Sequence, residues 1–378
     1  MGSDDRAEKP AARHRTWVQR HIAREERRAR LRLTSAPPPG IVLLACMKNE
    51  GPAILEWVAY HLAIGVEHFL IYTNDCADGT DLIWQRLAQL GLATHRDNTA
   101  EAGLAPKPQT RALVRALTEK VYTDADWVLV IDADEFLNIH AGDGSIGALL
   151  AQNPDADCFF VNWRLFGSSG QQDFSAGLLM EQFPMAADPD RVRRHHALAP
   201  KSLFRPQKFP KAGIHRPTRP AEDGSVIYAA DDGTPCSRSW AGLVLGTRYA
   251  GAQVNHYSVQ SLDMLLLKFA RGFAVTAQME SPRAYLESRD FNHQRDETIL
   301  RHLPRVRAEL DRLLADPLLA RLHRKALMWR QDQIRTALSQ PELRAVKNEL
   351  IAAQKRLLRR ALMQSQRPGC PAGEDPDS

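Results

Sequence analysis

Asp132, Asp134 and Glu135 stand within four residues near the end of "DWVLVIDADEFL", a stretch whose first half is apolar enough for the middle of a sheet. Trp127 to Ile131 are five apolar residues, mostly β-branched or aromatic, the signature of a buried strand. Carboxylates crowded at such an exit are costly to desolvate unless something positive lies between them. Read as one continuous strand, the segment places Asp132 and Asp134 on one face and Glu135 on the other. Two hard oxygen ligands on one side suit Mg²⁺ or Mn²⁺, which would leave positions open for phosphate oxygens and neutralise charge building on a leaving diphosphate. The plainer alternative is a strand that emerges into water with its acids solvated. The D-x-D spacing alone does not separate the two.

The elements around these acids form an alternating series. "IVLLACMK" reads as a strand, and "NEGPAILEWVAYHLAIG" as a helix with Pro52 in its first turn and Gly65 as its stop. "HFLIYTN" is a second strand, and a loop "DCADGT" leads into the helix "DLIWQRLAQLG". A short strand near "ATHRDN", a helix from Gln109 to Val121 and the acid-tipped strand complete a β-α-β-α-β-α-β order over residues 41–137. That order predicts an α/β fold with a mostly parallel sheet flanked by helices. Ligands of such sheets bind beyond the carboxyl ends of the strands. The polar clusters "KNEG", "NDCADGT" and "DADEF" all fall there. "DCFFVNWRLFGSSG" predicts one more strand, and "VNHYSVQSLDMLLLKFARG" a strand leading into a helix from about Ser261. Residues 188–250, rich in Pro, Gly and His, read as loop; from about Leu300 the chain reads as amphipathic helix, with a new helix at Pro341.

Composition limits the function classes. The chain has 378 residues, 44% hydrophobic and 25% charged, and no apolar run approaching the roughly 20 needed to span a bilayer. The first twenty residues lack the apolar core of a secretory signal. Five scattered cysteines without C-x-x-C spacing read as reduced structural thiols of a cytoplasmic protein. The net charge of +5 divides into +5 over residues 1–40, +9 over 301–360, −2 over 361–378 and −7 over 41–300. An acidic middle with basic flanks predicts a compact domain whose arms can meet an anionic surface, or else solvated helix faces.

Taken together, "CMKNEGPAILEWVAYHLAIGVEHFLIYTNDCADGT", "DWVLVIDADEFL", "NWRLFGSSG", "KSLFRP" and "NHYSVQS" resemble the bacterial family 2-like glycosyltransferases, related to family 92, over roughly residues 41–275 in order. The resemblance implies a GT-A (Rossmann-like) fold, a nucleotide-sugar donor and a divalent cation, Mn²⁺ or Mg²⁺, held by a D-x-D motif. It implies that Asp132 contacts ribose or metal, that Asp134 is the main metal ligand, and that His256 in "VNHY" supplies a histidine ligand. Asn49, Glu50, Asp75 and Asp78 would line the nucleotide pocket. Each has a plainer role open to it: a helix cap for Glu50, Asx-turn and N-cap duty for Asp75 and Asp78, a satisfied core histidine for His256. Lys201 and Arg205 in "KSLFRP" are candidates to pair with diphosphate oxygens, His215 a weaker one, with surface cations as the alternative. An inverting transfer needs a base for the acceptor hydroxyl, and Asp173 and Glu181 are the candidates. "GSSGQQDF" stands where many relatives carry a histidine after the glycine.

The expected organisation is a basic N-terminal arm (1–40), a GT-A domain (41–300), a basic helical extension (301–365) and a disordered tail (366–378). The expected activity is metal-dependent transfer of a sugar from a nucleotide-sugar, a UDP-sugar foremost, to a saccharide or other hydroxyl, as in polysaccharide biosynthesis. Its partners would be that donor and a glycan or glycolipid acceptor, with peripheral contact at the inner face of the cell membrane and no nucleic acid. Two competitors are a Mg²⁺-dependent phosphatase of haloacid dehalogenase type and a non-enzymatic adaptor that binds anionic surfaces through its basic arms.

Overall fold

The structure, a computed structural model, describes residues 40–100, 107–191, 199–220, 225–239, 249–270 and 281–365. The first strands, β1 (Ile41–Met47), β2 (His68–Thr73), β3 (Ala93–Asp97) and β4 (Trp127–Val130), lie parallel in the order β3-β2-β1-β4. Their crossovers carry α1 (Gly51–Ala63), α2 (Thr80–Gln89) and α3 (Pro108–Ala116). β2 is buried at all six positions, as a strand covered by helices on both faces must be. Gly65 and Gly91, with φ of +108° and +80°, follow α1 and α2 in the left-handed conformation that ends them. The helix expected over Gln109–Val121 is shorter: α3 ends at Ala116 and a separate turn covers Lys120–Thr123.

The chain then adds β5 (Glu135–Ile139), β6 (Cys158–Leu165), the short β7 (Met185–Ala186), β8 (Pro200–Phe204), the short β9 (Tyr228–Ala229), β10 (Ala252–His256) and the short β11 (Gln294–Arg295). The full sheet runs β3-β2-β1-β4-β8-β6-β10-β5, with β9 also on β6, while β7 and β11 pair separately. β8 is antiparallel to β4 and β6, β5 to β10 and β7 to β11; the other pairings are parallel.

Two expectations need correction here. "DWVLVIDADEFL" is not one strand. β4 stops at Val130, the chain turns with the Glu135 N–H donating to the Asp132 carbonyl at 3.1 Å, and β5 leaves for the far edge of the sheet. A turn at Asp132–Glu135 cancels the strand alternation that separated Asp132 from Glu135 by face. Nor is residues 188–250 loop throughout, because β8 sits at the centre of the sheet. Its five residues open on Pro200 and Lys201, which disguise a strand buried at every position.

Five helices follow: α4 (Leu262–Ala270), α5 (Pro282–Arg289), α6 (Leu303–Leu314), α7 (Pro317–Ser339) and α8 (Pro341–Ser365). They are not an appendage. α6 and α7 pack on α1, and α7 also on α2. Asp316 caps α7 by accepting from the Leu319 N–H at 2.9 Å, and the same carboxylate takes Arg86 of α2 at 2.6 Å. On the opposite side Ile334 and Ala337 of α7 bury themselves with Leu266 and Leu267 of α4. The class, the mostly parallel sheet and the C-terminal helices are therefore those expected. Residues 1–39 of the basic arm and 366–378 of the tail lie outside the described residues. Among the described residues no helix is long and apolar enough to cross a membrane.

Candidate functional site

The loops leaving β1 and β2 are stitched together by backbone groups. Asn49, at φ +59°, accepts from the Ala77 N–H through Oδ1 at 2.7 Å. The Glu50 N–H donates to Thr80 Oγ1 and the Gly51 N–H to Asp78 Oδ2, each at 2.8 Å, and Asp78 Oδ1 takes the Thr80 N–H at 2.9 Å. Asp78 thus spends both oxygens on the N-termini of α1 and α2. Asp75, at φ +46°, is exposed, bonded to Asn74 and 3.7 Å from Lys48. The acid turn after β4 joins this group through Trp57 of α1, whose Nε1–H lies 3.1 Å from the Asp132 carbonyl and 2.9 Å from that of Glu135. The three strand-end clusters therefore form one region.

Inside the acid turn, charge is divided unevenly. Lys201 of β8, 1% exposed, donates to Asp132 Oδ2 at 2.8 Å and pairs with Glu135 Oε2 at 3.0 Å. Gln109 of α3 donates to Asp132 Oδ1 at 2.9 Å, and the Asp132 N–H to Glu135 Oε2 at 2.9 Å. Burial pulls the Lys201 ammonium toward neutrality, but the two carboxylates outweigh it and hold its pKa above the ordinary value. Burial pushes the Glu135 carboxyl up to about 7, with Lys201 opposing.

Beyond this saturated pair, ligand atoms of Asp134, Glu135 and His256 lie within 4.8 Å of one another. His256 Nε2 is 3.6 Å from Asp134 Oδ2. Burial would raise the Asp134 carboxyl, but His256, with help from Lys268 and Lys201, holds it well below the usual carboxylate range. Glu135 Oε1 and His256 Nδ1 are buried without a hydrogen-bond partner. Such orphaned atoms are rare unless an ion or water completes them. Two carboxylates and an imidazole fit Mn²⁺ or Mg²⁺ in kind.

This differs from the expected set Asp132, Asp134 and His256. Both Asp132 oxygens are engaged by Gln109 and Lys201, and Glu135 takes its place in the cluster because the turn swings it round. Lys201 lies beneath the carboxylates, neutralising them. Arg205 does not reach the acids: it stacks 4.4 Å over Trp127, at the opposite end of β4, and sits 3.9 Å from Asp157. His215, which burial pushes down to about 4, lies 3.1 Å from the Pro200 carbonyl and edges onto Trp163 at 5.1 Å. Asp173 is largely exposed and bonded to Lys347 of α8 at 2.7 Å, and Glu181 pairs with Arg307 of α6 at 2.8 Å. Neither bonds to a member of the acid turn.

Sequence reasoning missed Trp57, Gln109 and Trp163, whose ring packs 4.4 Å from that of His256. "EWVAYH" and "NWRLF" carry two of them, but a core tryptophan gives no local sign of what its face or N–H meets.

Residues 43–230 match the model of glycosyltransferase family 92. Over those residues, just under half of its length, the chain is similar to glycosyltransferase family 92. A curated glycosyltransferase family 92 protein of Ricinus communis is 30% identical over 122 residues, 30% of this chain; the chain covers 21% of that relative's length. The crystal structure of S. aureus TarS 1-349 aligns over 87% of this chain and 93% of that one at 12% identity, with a TM-score of 0.30. That score is too low to bear on fold or reaction. The family 92 match includes β1 to β9 and the acid turn, whereas His256 and the five C-terminal helices lie beyond it. It favours the glycosyltransferase expectation over the phosphatase and the adaptor.

Proposed function

We propose that the chain transfers a sugar, with inversion, from a UDP-sugar to a hydroxyl of a glycan or glycolipid acceptor, with Mn²⁺ or Mg²⁺ held by Asp134, Glu135 and His256. The observation that carries this reading is the cluster of Asp134, Glu135 and His256, whose ligand atoms lie within 4.8 Å of one another at the carboxyl end of a parallel sheet, within or close to the family 92 match. The cation, when bound, would neutralise charge on the departing diphosphate.

The chain's own groups do the rest. Lys201 and Gln109 fix the Asp132 carboxylate, and Trp57 fixes the backbone of the turn, so the ligand side chains are set before substrate arrives. The nucleoside would sit against the loops that leave β1 and β2. Asn49 and Asp78 shape those loops, and Asp75 has an open side chain for a ribose hydroxyl. The acceptor proton needs a base. Asp173 and Glu181 face Lys347 and Arg307, whereas Glu50, pushed up to about 7 chiefly by burial, lies within electrostatic reach of Asp134. Glu50, in the loop after β1, is the carboxyl assigned that role.

The test is calorimetry of UDP binding in Mn²⁺. Asp134→Asn is expected to weaken it by at least about 100-fold, about 2.7 kcal/mol, without lowering the melting temperature appreciably. Wild-type UDP affinity in that variant would overturn the assignment.

A further inference from the structure

A partly open cleft lies between the start of α1, the 174–177 loop and α7. Its wall combines Glu50, Gln260 and Arg330 with Phe174, Met264 and Leu327. Arg330 is 2% exposed. Its Nη2 donates to the carbonyl of Asn49 at 2.6 Å, its Nη1 meets the Met264 thioether at 2.9 Å, and its Nε has no partner. A buried guanidinium carries five N–H donors, and a thioether is a weak acceptor. This one is under-satisfied and lines an opening.

The position of Arg330 is enforced by α7. Ala326 and Arg330 lie four apart on one face of that helix. Gly51 is where that face touches α1, since a Cβ there would come 2.7 Å from Ala326 Cβ. Glu50, next to Gly51, is within electrostatic reach of both Arg330 and Asp134. Glu50 therefore belongs to the cleft wall and also feels the charge of the metal cluster.

We propose that this cleft is the acceptor subsite and takes one pyranose unit of a neutral saccharide, with Arg330 donating to one hydroxyl oxygen and Glu50 accepting from its neighbour. A vicinal diol presents that acceptor-and-donor pair. Phe174, Met264 and Leu327 offer apolar surface to the C–H face of the ring, the usual composition of a small-molecule pocket. An anionic group would meet the Glu50 carboxylate as well as Arg330, so the charge balance favours a neutral sugar. The helices beyond the family 92 match thereby supply part of the site. The proposal rests on the glycosyltransferase reading above.

Ligand-observed NMR on the full chain, with UDP and Mn²⁺ present, tests it using the methyl β-glycosides of glucose, galactose, mannose and N-acetylglucosamine as probes. At least one is expected to bind. Arg330→Lys is expected to weaken that binding at least tenfold. Because this change also removes the prop under Asn49, Leu327→Trp, which fills the cleft and spares every polar contact, is measured beside it and is expected to lose binding to the same extent. Absence of binding by all four glycosides, or wild-type affinity in Leu327→Trp, would overturn the subsite. UDP titration of the wild type reads the parent proposal separately: retained UDP binding without glycoside binding sinks only the cleft, and glycoside binding without UDP binding sinks only the donor assignment.

Discussion

Glu56 and Glu135 are both buried glutamates, 6% and 0% exposed, and burial pushes each carboxyl up to about 7. Their surroundings separate them. Glu56 spends one oxygen on the Leu179 N–H at 2.8 Å and the other on the Met180 N–H at 3.1 Å, clamping α1 to the short helix Leu179–Gln182. Glu135 gives Oε2 to Lys201 and the Asp132 N–H, leaves Oε1 without a hydrogen-bond partner, and has a carboxylate oxygen within 4.8 Å of ligand atoms of Asp134 and His256. A perturbed pKa marks both, so perturbation alone does not locate a site. The company of Asp134 and His256 does.

The comparison breaks most readily at Lys201, which neutralises the Glu135 side and has no counterpart at Glu56. Lys201→Met leaves the buried Glu135 uncompensated and strips the half-buried Asp132 of its cation, and is expected to cost about 3–5 kcal/mol in urea denaturation. A loss under about 1 kcal/mol would mean that the carboxylates are not held by this ammonium. Glu56→Gln comes next. An amide can accept only one of the two backbone N–H groups, so stability should fall by about 1–3 kcal/mol while UDP affinity stays put. Glu135→Gln breaks the buried pair with Lys201, so it too should cost stability, but unlike Glu56→Gln it should weaken Mn²⁺ affinity at least tenfold, about 1.4 kcal/mol. Matching effects of the two substitutions on both readouts would erase the distinction.

The smallest effect is in pH. The folded-state pKa of Glu56, about 7, lies above its ordinary value of 4.5, so the folded chain holds the proton more tightly than the unfolded one. The stability this contributes is complete below pH 4.5 and is lost as pH rises through about 7. Denaturation of wild type against Glu56→Gln over that window should show the variant with the flatter profile; identical slopes would place the Glu56 pKa near its unfolded value.

The parallel half of the sheet was legible because β1, β2 and β4 are apolar runs bounded by capped helices and glycine stops, all local signals. The convergence of "KNEG", "NDCADGT" and "DADEF" followed from the chain order alone. What was not legible depends on partners distant in sequence. Whether the chain turns at Asp132 or continues as strand is decided by Trp57 and by where β5 finds β10, so alternation was the wrong guide to Glu135. Lys201 read as a diphosphate partner or a surface cation because nothing in "PKSLF" announces a strand closed in by β4 and β6. Arg330 reads as one more charge on a basic helix, and only the packing of Ala326 on Gly51 turns it inward.

The central claim is that Asp134, Glu135 and His256 hold a divalent cation together. Pulsed electron paramagnetic resonance of the Mn²⁺-loaded chain with UDP tests it directly. The account predicts a nitrogen coupling from a single imidazole that disappears in His256→Ala; a bound Mn²⁺ with no nitrogen coupling, or one unchanged by that substitution, would contradict it.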